Sequence, residues 1–235
     1  MHATAKTDDA MINLNTKAWI SLAGLMIVMG LLLFVPGGTV YYLQGWVFLS
    51  VFTVTSIFIT LNLMKHDPAL LERRMRGGPT AEKQPMQRLI MLATSIGFIC
   101  LLVVPALDFR FGWSAVSLSG IVGGNVLVMT GFYFISLVYK ENTFASATIE
   151  IAEGQKVIST GPYAIVRHPM YASASIYLIG MPIALGSYWG LIVFGAMIPF
   201  LLLRLIDEER FLAKNLPGYV EYQMQVRYRL IPFVW

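Results

Sequence analysis

Residues 170–203 read MYASASIYLIGMPIALGSYWGLIVFGAMIPFLLL, without a single Asp, Glu, Lys or Arg. A bilayer core of about 30 Å takes roughly 20 apolar residues in helical form, because each backbone amide must find its partner within the segment. The stretch is too long for one crossing, and Gly186-Ser187 breaks it into two short spans, 170–186 and 188–203. The expected result is a tight helical hairpin. Pro182 and Pro199 fall inside its arms and are expected to kink them, which membrane helices tolerate when neighbours satisfy the freed carbonyls.

Toward the N-terminus, four longer stretches are equally free of charge: 18–35, 41–64, 89–107 and 114–139. With the hairpin they make about six spans, so the expected fold is an all-α, polytopic membrane bundle. Composition agrees, with 57% hydrophobic residues, 13% charged and a mean hydropathy of +0.66 over 235 residues. These values exclude an ordinary soluble domain. A net charge of +4 and a pI near 9.2 raise the question of nucleic acid. The basic residues are scattered between apolar runs instead of forming one stripe, so no nucleic-acid partner is expected. Cys100 lies alone in an apolar run, which leaves no disulfide framework and no cysteine metal site. The charged start of the chain, with Lys6, Asp8, Asp9 and Lys17, leads into a long apolar run without a small-residue cleavage pattern, and reads as an uncleaved first span.

Lys and Arg set the topology. The N-terminus, the loop 65–88, the loop 140–167 and the tail after residue 203 carry 16 of the 17, and only Arg110 falls outside them. The connections at 36–40, 108–113 and 186–187 are short and nearly uncharged, as outer turns should be. Both termini are therefore expected in the cytoplasm, with the protein multi-pass in a prokaryotic inner membrane. Trp19, Trp46, Trp113 and Trp189 lie near span ends, where indole rings favour the interface. The loop 65–88, from Asp67-Pro68 to Gly77-Gly78-Pro79, reads as a short basic amphipathic helix anchored electrostatically on the membrane surface. The tail continues the last span as a charged helix, breaks at Pro217-Gly218 and resumes with Tyr219, Tyr222, Val226 and Tyr228. The chain divides accordingly into a four-span region, 1–139, and a second region, 140–235, holding the hairpin and tail.

A carrier or channel needs polar groups at mid-membrane. Here the spans hold little beyond Asn62, Asn125 and scattered Ser and Thr, while Gly120, Gly123, Gly124 and Gly131 suit helix packing. Polar density peaks instead in 141–171 and 204–229, the two segments that a hairpin would bring together. The first holds Gly161-Pro162-Tyr163 and Arg167-His168-Pro169-Met170-Tyr171 where a helix begins, a place that favours anionic groups. A plainer reading makes Pro169 a helix-starting residue and Arg167 an interface anchor. In the second, Arg204 and Glu208 share a helix face as an i,i+4 pair. Asp207, Glu208 and Glu209 crowd a helix C-terminus, against its dipole, and so could await a cationic ligand.

Taken in order, these fragments resemble the signature of the isoprenylcysteine carboxyl methyltransferase and phospholipid methyltransferase superfamily, from 142 to 232, ending in Arg229-Leu230-Ile231-Pro232. The resemblance implies methyl transfer from S-adenosylmethionine by a membrane enzyme without a metal. It assigns Glu208 and Glu209 to the charged amino-acid end of the cofactor, and His168, Tyr171 and Tyr163 to its cradle, with Arg167 either beside them or structural. It gives Arg204 the part of orienting an acceptor carboxylate, with Tyr171 also at the reacting centre. Glu150 is a further catalytic candidate by offset alone, or a solvated loop charge. The span 114–139 lacks the charged pair that eukaryotic prenylcysteine enzymes carry, which weighs against a prenylated protein as substrate. The implied acceptor is a lipophilic carboxylate, amine or thiol reaching the site through membrane lipid, or a small amphipathic thiol. A carrier of a small apolar molecule and a noncatalytic scaffold are the alternatives.

Overall fold

The computed structural model describes the backbone of residues 2–82 and 84–235, and the side chains of these from Asn13 onward. Lys6, Asp8 and Asp9 of the charged start, and Lys83 of the first loop, lie outside the described side chains. The helices are α1 (His2–Gly37), α2 (Leu43–His66), α3 (Pro68–Met75), α4 (Pro85–Phe111), α5 (Leu118–Glu141), α6 (Pro169–Ala184), α7 (Trp189–Asn215) and α8 (Tyr219–Gln225). A 3-10 turn occupies Gly161–Ala164, and no strand occurs among the described residues. The chain is thus a polytopic helical bundle.

Among the described residues, five helices are long and apolar enough to cross a bilayer: Asn13–Gly37 of α1, then α2, α4, α5 and α7. The sixth expected span, α6, has only 16 residues. At 1.5 Å per residue it measures about 24 Å, short of the bilayer core. Its bounds have local causes. Pro169 lacks the N–H that a preceding helical turn would use, and Gly186 turns the chain with φ +80 just past the other end. Helix α7 runs well past the apolar stretch, to Asn215, and carries Arg204 and the three acids on its last turns; Gly218, at φ +86, then starts α8.

The closest packing is between α5 and α6. A Cβ on Gly124 would lie 2.3 Å from the Ala184 nitrogen, and one on Gly131 would lie 2.7 Å from the Tyr177 nitrogen, so backbone meets backbone along this seam. Of the four glycines expected to mediate packing, Gly124 and Gly131 do so, whereas Gly123 faces open space. Behind the seam lies an apolar core that includes Met29, Phe48, Phe52, Leu101, Leu102, Val128, Met181 and Phe194.

The turn end opposite the polar segments holds a buried acid. Asp108, 1% exposed, accepts hydrogen bonds from the Ser114 amide at 2.7 Å and from the Ser114 and Ser187 hydroxyls. It clips the α4–α5 and α6–α7 turns together. Tyr42 donates to the Leu185 carbonyl beside it at 2.5 Å.

At the other end α3 forms as the sequence predicts, with Asp67 accepting from the Leu70 amide at 2.9 Å and Pro68 in its first turn. Its setting differs from a surface anchor. Leu70 and Leu71 pack against Ala18 and Leu63, and Arg73 and Arg74 donate to the backbone carbonyls of Thr143 and Ser146. Both cations face the protein because those carbonyls belong to no helix and need donors.

Candidate functional site

Where α6 begins, the tail folds back on it. The amides of Arg167 and His168 donate to the carbonyls of Tyr228 and Arg229 at 2.8 and 2.9 Å, and the Arg167 Nη1 donates to the carbonyls of Val226 and Arg227. This docking carries Arg229 to α7. The Glu209 carboxylate receives Arg167 Nε at 2.7 Å and His168 Nε2 at 3.2 Å on one oxygen, and Arg229 Nε at 2.9 Å on the other. Arg167, His168 and Glu209 are all buried. A buried cation costs several kcal/mol unless paired and hydrogen-bonded, and this carboxylate supplies the pairing.

Each of the three acids of α7 has a hydrogen-bond partner within the protein. Asp207 accepts from the Gln87 amide, Glu208 accepts from the Tyr171 hydroxyl at 2.6 Å, and Glu209 holds the cluster just described. Arg204 does not pair with Glu208. Its guanidinium donates to Glu82 at 2.6 Å, to the Gln87 side-chain oxygen at 2.9 Å and to the Ala147 carbonyl at 3.0 Å. The local i,i+4 pair loses because a desolvated cation gains more from three fixed acceptors than from one flexible neighbour.

A cavity of about 410 Å³ opens between these groups. Of the residues singled out in the sequence, Glu150, Tyr163, Arg167, His168, Tyr171, Arg204 and Glu208 line it; the wall does not include Glu209. Ser146 donates to Glu150 at 3.4 Å, a long contact. At one end of the cavity stand Tyr219 and Tyr222 of α8, and at the other Phe98, Leu178 and Met197 of the apolar bundle. One cavity therefore joins the polar segments to the membrane-embedded core.

Its phenols are held neutral. Tyr163 accepts from the Asn142 amide at 2.8 Å, and its pKa is pushed up to about 12, chiefly by burial, with the hydrogen bond from Asn142 opposing. Tyr222, which donates to the Tyr163 carbonyl at 2.7 Å, is likewise raised by burial. Tyr219 is raised by burial and then by the charges of Glu209 and Glu208. Tyr219 is 4% exposed, and its hydroxyl has no hydrogen-bond partner among the described residues. A buried donor left unmade is costly, so a ligand acceptor in this cavity would relieve it.

Sequence reasoning overlooked Glu82 and Gln87, which lie in the first loop and carry no motif, and the separate importance of Tyr219. A clue existed for Glu82: it is the one acid in the stretch 73–88, amid five basic residues.

The fold is that of a multi-pass helical membrane protein whose cavity is lined by both polar and apolar side chains. Residues 118–217 match the family model described as phospholipid methyltransferase, a domain within the superfamily of membrane methyltransferases that includes the isoprenylcysteine carboxyl enzymes. The match begins at α5, one helix earlier than the stretch whose motifs carry the resemblance, and so takes in the whole α5–α6 seam. No curated protein matches the chain.

Proposed function

We propose that this protein transfers a methyl group from S-adenosylmethionine to a lipophilic acceptor, at the cytoplasmic face of a prokaryotic inner membrane. The observation that carries the proposal is the cavity with one polar, phenol-lined end and one apolar end within the bundle. Its volume is that of a pocket for one drug-sized molecule. The residues present suit the cofactor: a buried hydroxyl at Tyr219 without a partner among the described residues, an acid at Glu208 and the cavity's phenol rings offer partners to an acceptor atom, an ammonium group and a purine.

The bound cofactor supplies a methyl group on a sulfonium, open to in-line displacement. Glu208, held by Tyr171, attracts the cationic amino-acid end, and Tyr163, Tyr171 and His168 form the cradle. Glu209 acts one step back, fixing Arg167, His168 and Arg229, in place of direct contact. Arg204 meets a polar or anionic group of the acceptor, and Glu150 stands where a proton leaving an amine or thiol could be taken up. The apolar walls exclude water, which matters because displacement at a sulfonium gains from alignment and desolvation more than from acid-base strength. Domain division follows the same logic: region 140–235, together with α5, carries the chemistry, and the helices before it form the wall and the membrane mount. The basic residues flanking the helix ends around the cavity support a cytoplasmic location for that end.

The test is calorimetric titration of detergent-purified protein with S-adenosylhomocysteine, followed by incubation with labelled S-adenosylmethionine and a membrane lipid extract. Saturable binding and label in an organic-phase product are expected. No binding at millimolar cofactor would refute the proposal.

A further inference from the structure

The acceptor-side arginine owes its position to residues outside the family-matched segment. Arg204 is buried, 7% exposed, yet lines the cavity. Of the three hydrogen-bond acceptors of its guanidinium, Glu82 belongs to the stretch between α3 and α4 and Gln87 to the first turn of α4, and only the Ala147 carbonyl lies within residues 118–217. Glu82 and Gln87 are themselves 3% and 1% exposed. Both are too deeply buried for polar side chains with an incidental role. The Gln87 amide is oriented from both sides, its oxygen accepting from Arg204 and its nitrogen donating to Asp207. The stretch that carries them is tied down in turn: Asp67 accepts from the Thr143 hydroxyl, Arg73 and Arg74 donate to the 143–146 backbone, and a Cβ on Gly77 would touch Ala147 at 3.0 Å.

A guanidinium has five N–H donors in a fixed plane, and these contacts use three. The Tyr171 hydroxyl also lies against the guanidinium, and the direction of any donor left for a ligand is set by the contacts already made.

We propose that Glu82 and Gln87 are positioning residues that hold the Arg204 guanidinium in the cavity wall, so that its remaining donors meet the polar or anionic group of the methyl acceptor. This rests on the reading of Arg204 as the acceptor-side cation. Two opposing effects decide what removing Glu82 does. Its negative charge lies near an incoming anion and repels it, while its hydrogen bond keeps a long, rotamer-rich side chain in one geometry. Burial of all three groups favours geometry, since a released arginine here would reorient toward other carboxylates nearby, Glu208 foremost.

The experiment uses the full-length protein in detergent and two probes, S-farnesylthioacetate and its neutral methyl ester, with S-adenosylhomocysteine as the control ligand. The wild type should prefer the carboxylate at least tenfold, and Arg204→Ala should erase that preference. Glu82→Ala should cut carboxylate affinity about tenfold and Gln87→Ala about threefold, each leaving ester and S-adenosylhomocysteine affinity within twofold. Glu82→Asp should restore most of the loss. If Glu82→Ala and Glu82→Gln bind the carboxylate as tightly as wild type or tighter, while Arg204→Ala is weak, Glu82 is merely a counter-ion and the positioning role falls alone. If the wild type shows no preference, or Arg204→Ala keeps it, the acceptor reading of Arg204 falls and this inference with it. A parallel loss of all three ligands in Glu82→Ala and Glu82→Gln would mark a purely structural residue and overturn the inference.

Discussion

Replacing Tyr219 with Phe removes one oxygen and nothing else, at a place where that oxygen has a cost and a proposed use. In the protein without ligand the hydroxyl is buried and unpartnered. Its desolvation is uncompensated, a penalty of roughly 1–3 kcal/mol. The phenylalanine variant drops that penalty while keeping the ring contacts with Tyr222, whose centroid lies 5.7 Å away. The unliganded variant should therefore be more stable than wild type by about 1 kcal/mol, or roughly 3 °C in unfolding temperature. With ligand the sign reverses. If the hydroxyl donates to an acceptor atom of the cofactor, the variant forgoes that bond, worth about 1 kcal/mol net, and affinity falls roughly fivefold. Thermal unfolding by intrinsic fluorescence in detergent, with and without saturating S-adenosylhomocysteine, reads both effects in one experiment. A purely structural tyrosine would not produce opposite signs. An unliganded Tyr219→Phe that melts below wild type, with unchanged cofactor affinity, would refute the reasoning.

Other consequences follow from particular contacts. Gly131→Val should prevent α5 and α6 from closing, because even a first added carbon would lie 2.7 Å from the Tyr177 nitrogen; loss of monodisperse protein on size exclusion would show it, whereas a well-folded variant would contradict the seam. Asp108→Ala strips the acceptor from two hydroxyls and one amide in a buried turn, so a loss of about 3 kcal/mol is expected in thermal unfolding. Cofactor affinity of the surviving fold should be unchanged. Glu209→Gln leaves Arg167 buried without its carboxylate, a loss of about 3–5 kcal/mol, and unfolding should precede any selective loss of cofactor. Tyr163 predicts a pH dependence: below about pH 10 its phenol is neutral folded and unfolded and contributes no slope, whereas above that the unfolded phenol ionises first. The folded state then binds more protons, so stability falls as pH rises from 10 toward 12, and Tyr163→Phe should lessen that slope in melts recorded across the window, the other raised phenols keeping the rest of it.

Much of the fold is legible in the sequence because a membrane makes burial a local property: a run without charge is a span wherever its neighbours lie. The break at Gly186-Ser187 and the restart after Pro217-Gly218 are legible for the same reason, since both depend on backbone chemistry within a few residues. The bounds of α6 are legible as well, since Pro169 and Gly186 act through their own backbone chemistry; what an apolar run alone does not show is that these 16 residues fall short of a full crossing. At the site, sequence brings the right two segments together but not the right partners. Spacing favours Arg204 with Glu208, an exposed-helix argument worth a few tenths of a kcal/mol, whereas the structure pairs Arg204 with Glu82, 122 residues away. The same holds for Glu209, whose partners Arg167, His168 and Arg229 come from the start of α6 and from the tail.

These long-range pairs share a cause. Each acid or base is carried into a place with little water, where an unmatched charge costs more than any local pairing returns, so partners are chosen by the packing of whole helices. A consequence follows for the first half of the chain. If its helices served only to hold the protein in the bilayer, the segment leading from α3 into the first turn of α4 would have no need of a deeply buried Glu82 and Gln87. Their burial against Arg204 ties the membrane mount to the cavity wall. A fragment limited to the family-matched residues 118–217 would therefore leave Arg204 without its counter-ion and the cavity without one of its sides.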